Sequence, residues 1–201
     1  MLIYNMSRLG RPSIINRQDI LAKCCNALWY NGIQNISFND VIKTAEVSKG
    51  TIYKIFKDQD TLHKETINYY YQNIMSNKIK SFSEYDNVFS FLEYIKKNII
   101  KKDIQNCFYQ ETKTISHQLG NKAKSSLIKI DSVIKKALED IIIRHVKKYK
   151  LNIKKDNIYA LALFLFHNLT YLYILKLNKT STKEISTIFK ILKAKTLVDL
   201  K

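Results

Sequence analysis

An all-α fold is predicted by three features of the chain. Its 201 residues include only 4 Gly and 1 Pro, too few turn formers for a strand-rich architecture. Apolar residues return at helical rather than alternating spacing. Helix-start patterns also recur: Ser37 with Asp40, Ser83 with Asp86, and Ser181 with Glu184 have capping-box spacing, and Asp58 can cap a helix that begins at Gln59.

These signals divide the chain in order. A first helix is predicted over 17–31, with Ile20, Leu21, Cys24 and Leu28 on one face and Gly32 as its C-terminal cap. Two short helices, 38–46 and 48–55, follow on either side of a tight turn. A longer helix over 59–80 leaves this N-terminal group. Further helices are predicted over 84–102, 104–118, 122–150, 155–178 and 182–196. No low-complexity linker interrupts the chain, so 59–80 joins residues 1–64, an N-terminal three-helix domain, to residues 65–201, a larger helical domain.

The formal charge of +17 suits a polyanionic partner, but its distribution weakens that argument. Residues 1–66 hold nine Lys/Arg against six Asp/Glu, net +3; the remainder holds 25 against 11, net +14. Cys24, Cys25 and Cys107 form no CxxC pair and read as buried thiols of a reducing compartment. The opening MLIYNMSRLGRP lacks a signal-peptide pattern, so a cytoplasmic protein is expected. The segment 158–177 has the length of a membrane span, but His167, Asn168, Thr170 and Lys176 within it favour a buried interface helix, with no membrane partner.

In FNDVIKTAEVSKGTIYKIF, Val41, Ile42, Ala45, Val47, Ile52 and Phe56 can knit two helices into a helix-turn-helix corner. Such a corner lays its second helix in the DNA major groove. Ser48 is the expected N-cap. Gly50 lets the backbone approach DNA closely, and the helix N-terminus offers N–H donors to a phosphate. Thr51 adds a hydroxyl and a methyl group, Tyr53 a phosphate donor or sugar platform, and Lys49, Lys54 and Lys57 can reach bases or phosphates.

Ile20, Leu21, Gly32, Ser37, Val41, Ala45, VSKGTIY and the run Phe56 to Leu62 together resemble the N-terminal domain of the TetR/AcrR family of transcriptional regulators, over about residues 17–64. The resemblance implies a homodimer on a double-stranded, pseudo-palindromic operator, contacted through Arg17, Ser37, Ser48, Lys49, Gly50, Thr51, Tyr53, Lys54 and Lys57. Two positions depart from the family pattern. Glu46 occupies a turn where Gly is usual, and Gln59 stands where Lys commonly starts the next helix.

It further implies that residues 65–201 bind a small molecule whose arrival releases a repressor from its operator. The expected pocket residues are Tyr70, Phe89, Tyr94, Phe108, Glu111, His117, Phe164, His167 and Tyr171, although each histidine also reads as a structural residue. The last two helices should pair with those of a second subunit through Phe166, Tyr173, Ile185, Ile188, Phe189 and Leu192; that stripe fits an ordinary core as well. No cofactor is expected, and no Gly-rich phosphate loop, HExxH pair or nucleophile elbow supports an enzyme. The competing reading is a helical interaction or membrane-associated protein that uses segment 158–177.

Overall fold

The computed structural model describes residues 16–101 and 107–199, with side chains described as far as Thr196. The stretch read for a signal peptide, and positions 102 and 104–106 of two expected helices, lie outside the described residues. Among the described residues the chain is helical, with no strand.

Helix α1 (Arg17–Asn31) starts where the Asn16 side chain accepts from the Gln18 N–H, and stops at Gly32, whose φ of 78° suits a residue without Cβ. Helix α2 (Phe38–Thr44) and helix α3 (Lys49–Phe56) begin at Ser37 and Ser48, whose hydroxyls accept from the Asp40 and Thr51 backbone N–H at 3.2 Å each. Between them, Val47 donates to the Ile42 carbonyl and Glu46 to that of Lys43, the paired bonds of a Schellman motif. Glu46 therefore takes φ 53° in the left-handed region, as expected from its place in the family pattern.

Helix α4 (Gln59–Tyr70) is capped by Asp58 and runs on through a π-helical turn (Tyr71–Met75) into α5 (Ser76–Lys80). The predicted 59–80 helix is thus continuous but locally widened, with Asn73 and Ser76 side chains donating to the carbonyls of Tyr69 and Gln72. A 3-10 turn (Ser81–Glu84) follows. The Ser83 hydroxyl turns back to the Lys80 carbonyl at 2.8 Å instead of capping forward, so α6 (Val88–Ile100) starts four residues later than predicted, capped by Asn87. Arg144 satisfies the carbonyls freed there, donating to Phe82 and Tyr85.

The described part of the next element is α7 (Phe108–Thr114), shorter than predicted because a 3-10 turn (Ser116–Gln118) closes it. Helices α8 (Asn121–Tyr149), α9 (Lys155–Leu177) and α10 (Thr182–Asp199) complete the order, within a few residues of the predicted spans.

Two apolar clusters hold these helices. The first joins α1–α5 to α7 and the start of α8, through Leu28, Ile52, Phe56, Leu62, Tyr109 and Leu127. It runs unbroken across positions 64 and 65. The second joins α6 and the far half of α8 to α9 and α10, through Phe91, Leu138, Leu165 and Phe189. Helix α8, about 43 Å long at 1.5 Å per residue, is the spine of both.

Candidate nucleic-acid interface and cavity

Helix α3 buries one side and presents the other. Ile52 and Phe56 are fully buried against α1, α2 and α4, an anchorage of roughly 1.5–3 kcal/mol each. On the opposite side Ser48, Lys49, Gly50, Tyr53 and Lys54 are exposed, with Thr51 half-buried. Tyr53 is held upright rather than left loose: its ring meets Phe38 edge-on at 5.1 Å, and Lys49 Nζ lies 5.8 Å from its centre. Thr51 Oγ1 is 2.8 Å from the Ser48 hydroxyl, so both help to fix the helix start.

Gly50 is informative because nothing among the described residues demands it. A Cβ there would meet none of their atoms within 4 Å, and the backbone is ordinary helix. Glycine inside a helix costs about 1 kcal/mol relative to alanine, so the bare backbone suits a surface that comes from outside.

Lys57, exposed just beyond α3, sits at φ 62° and ψ −52°, and the next N–H, from Asp58, donates to the Phe56 carbonyl at 2.7 Å. This is a strained γ-turn at a non-glycine residue. It projects Lys57 beside the N-terminus of α4. Arg17 is held elsewhere: its guanidinium pairs with Glu65 at 2.9 Å and lies 6.0 Å from the Phe56 ring centre. Ser37 is exposed, but its hydroxyl donates to Asp40 at 2.6 Å.

Behind this head lies a cavity of about 320 Å³. Its wall carries Trp29, Tyr70, Phe82, Phe91, Tyr94, Tyr109, Phe166 and Tyr173, with Met75, Lys78, Cys107 and Gln110 between them. The hydroxyl of Tyr70 donates to Cys107 Sγ at 3.6 Å, and that of Tyr109 to Asp131, which also pairs with Lys113 at 2.9 Å. Burial pushes the ionisation of Tyr70, Tyr109, Tyr173 and Cys107 upward, so these groups stay protonated.

Of the expected pocket residues, Tyr70 and Tyr94 line this cavity. Phe108 does not; it is buried behind Tyr70, their rings edge-on at 5.3 Å. Phe89 packs instead on His145 at 5.2 Å. Glu111 borders a separate cleft near Gly32. His117 is exposed on the 3-10 turn.

Phe164, His167 and Tyr171 face outward from α9, while Phe166 and Tyr173, expected at a subunit interface, line the cavity. Ile185, Phe189 and Leu192 are buried within the single chain, with Ile188 packed partly against the same core. For α9 the physical reason is that the helix is apolar nearly all round, so periodicity does not identify its inner face; the α10 stripe packs on its own chain's core, which its spacing fits as well. Trp29, Met75, Phe91, Gln110 and Leu138 escaped the sequence reading. Trp29 and Gln110 belong to helices whose other positions look like ordinary core or surface, and a cavity assembled from five or more helices leaves no local signal.

No protein-family model matches the sequence, and no curated protein matches it significantly. Solved structures do match. The reduced form of E. coli NemR shares 15% identity at TM-score 0.73, over 89% of this chain and 96% of that one. A TetR-family regulator from Cytophaga hutchinsonii shares 13% at TM-score 0.74, over 90% and 92%. A cysteine mutant of the TetR-family regulator CifR, in complex with a 26-bp double-stranded operator DNA, shares 14% at TM-score 0.69, over 92% and 99%. With its helix-turn-helix head, long connecting helix and helical body, the chain has the fold of the TetR family of transcriptional regulators.

Proposed function

We propose that this protein is a sequence-specific, non-enzymatic DNA-binding regulator that grips a pseudo-palindromic operator as a homodimer and, as a repressor, leaves it when a small molecule fills the cavity. The observation that carries the reading is the exposed face of α3, where an unforced Gly50 is flanked by Lys49, Tyr53 and Lys54. The operator complex of CifR, which has the same fold, supports it. The contacts assigned are those of Ser48, Lys49, Gly50, Thr51, Tyr53, Lys54 and Lys57, with Ser37 at the edge and Arg17 available only on leaving Glu65.

Two such heads would reach successive major grooves about 34–36 Å apart, or a multiple of that spacing. Dimerisation is supported by α9: Lys155–Leu177 is long and apolar enough to cross a membrane, yet only 33% of the apolar 18-residue stretch within it is buried in one chain. Its inner residues, Leu161, Leu165 and Leu172, are core, and a second subunit would cover the outer ones. A cytoplasmic location follows from an operator as target.

Control by the ligand needs different affinities for two states of the protein. Trp29 of α1 and Tyr70 of α4 meet edge-on at 5.0 Å on the cavity wall, so a ligand would touch the head and the connecting helix at once. Genomic footprinting followed by gel-shift titration tests the reading. A discrete palindromic site, bound by the wild type and lost in the Tyr53→Ala, Lys54→Ala double variant, is the expected result; unchanged binding by that variant would overturn the assignment of α3.

A further inference from the structure

The geometry points to the ligand class of the cavity: an uncharged, flat molecule of about two fused aromatic rings that carries one hydrogen-bond donor for Gln110. The inference rests on the reading of this cavity as the sensing site.

Size comes first. A cavity of roughly 150 Å³ lined by apolar side chains takes up benzene, and this one is about twice that at about 320 Å³. Shape comes from the wall, where Trp29, Tyr70, Phe91, Tyr94 and Phe166 offer ring faces and edges. Aromatic partners gain from edge-to-face and offset contacts beyond the area they bury. A thin planar guest makes more such contacts than a coiled aliphatic one.

Charge is settled by what the wall holds. Among the described residues that line the cavity there is no Asp or Glu, so a cation would enter without a counter-ion. Asp131, the nearest carboxylate named in the network, is already engaged by Tyr109 and Lys113. Among the described residues, Lys78 is the one charged group on the wall, and it is exposed to water. An anion would therefore gain only a solvated partner while losing its own hydration.

The donor requirement comes from Gln110. Its side chain is nine-tenths buried on the wall, and among the described residues Oε1 accepts no hydrogen bond. A buried acceptor without a donor is costly, and the nearby hydroxyls of Tyr70 and Tyr109 already donate elsewhere. A guest hydroxyl or N–H that reaches this carboxamide removes the cost. A guest of the same shape without a donor leaves it.

Isothermal titration calorimetry of the full-length protein without DNA, with four probes of one ring system, tests this. Naphthol is expected to bind at least about tenfold more tightly than methoxynaphthalene, naphthoate or naphthylmethylammonium. In the Gln110→Leu variant naphthol and methoxynaphthalene should bind equally. Tightest binding of the wild type by the anion or the cation would overturn the charge argument, and equal binding of naphthol and methoxynaphthalene would overturn the role of Gln110. No heat with any probe would overturn the assignment of aromatic guests altogether. Operator binding is measured separately in the absence of any probe, so a failure of the ligand class and a failure of the regulator reading give different results.

Discussion

The Asp60 carboxylate caps a helix that begins more than sixty residues away: Oδ1 accepts from the Ala123 backbone N–H at 3.0 Å, and Oδ2 from that of Lys122 at the same distance. Helix α8 has no capping side chain of its own, since Gly120 precedes it. Lys122 closes the joint with 2.8 and 2.7 Å bonds to Asp58 and Thr61. The start of α4, immediately after α3, is thereby fastened to α8, the spine of the larger helical body.

Removing that cap should separate sensing from DNA binding. Asp60→Ala is expected to cost about 1 kcal/mol, within the range for lost N-caps, in urea unfolding. It should also shrink the change in operator affinity that a cavity ligand causes, measured as the ratio of dissociation constants with and without ligand. Gly120→Ala should act in the same direction, because its Cβ would fall 2.2 Å from the Asp60 carboxyl carbon. An unchanged ratio in both variants would show that the joint transmits nothing.

Gly50→Ala should split stability from function. Alanine gains up to about 1 kcal/mol of helix propensity and clashes with none of the described residues. Melting should therefore rise slightly while operator affinity falls at least several-fold. A variant that melts higher and still binds fully would mean that DNA does not approach this backbone.

Left-handed non-glycine residues offer a second separation. Glu46, Lys150 and Lys179 close helices at φ 53°, 53° and 60°. Replacing Lys150 or Lys179 by Gly is expected to stabilise the protein by about 1 kcal/mol, since the Cβ conflict disappears. Lys57→Gly should likewise relax its turn, but weaken operator binding and lower its salt dependence by about one counter-ion. Denaturant midpoints and a salt titration of the gel shift decide both points.

What was legible in the sequence was local. Ser37, Ser48 and Asp58 cap where their spacing says, because a hydroxyl or carboxylate satisfies free N–H groups within three residues. The left-handed turn at Glu46 was legible too, from its place where the family pattern usually has Gly. The cavity was not legible, because Trp29, Gln110 and Phe166 meet only after α1, α7 and α9 have packed. Helix α9 shows the limit most clearly: Phe164 and Phe166 lie about 200° apart at 100° per residue, and an all-apolar helix gives no preference between them. Asp60 occupies an ordinary first-turn position of α4, with nothing local to say that it caps another helix.

Acid should weaken the fold in two stages. The ring of His145, at Nδ1, accepts from the Val88 N–H at 3.4 Å and lies against Phe89 and Tyr149, while His63 is buried on α4 itself. Burial lowers the affinity of both for protons below the ordinary value of 6.5, and the nearby Lys148 adds to this for His145. The unfolded chain then binds more protons than the native one, so stability falls as pH drops through about 6.5 toward the lower native values. Carboxylates held low by their partners, Asp86 by Lys148 and Glu93 by Lys193, lose their contribution only at more acid pH. Urea midpoints measured between about pH 7.5 and 5 should decline, and less steeply in His145→Gln. A flat profile would show that neither ring is kept neutral by the fold.

The outward face of α9 carries the last expectation. Phe164 and Tyr171 are 36% and 51% exposed, and Ile191 of α10 is 58% exposed. Phe164 and Tyr171 lie seven residues apart on α9, which places them on one side of the helix. Stable homodimer interfaces bury more than about 1,000 Å² with an apolar centre, and a carboxylate buried there without a partner is heavily penalised. The Phe164→Glu, Tyr171→Glu double variant should keep its helical content, since neither side chain is part of the core, yet sediment as a monomer. Its operator affinity should fall by orders of magnitude, because two half-sites would then have to be bound independently. A wild type that is monomeric at micromolar concentration, or a double variant that remains dimeric, would place the subunit contact elsewhere.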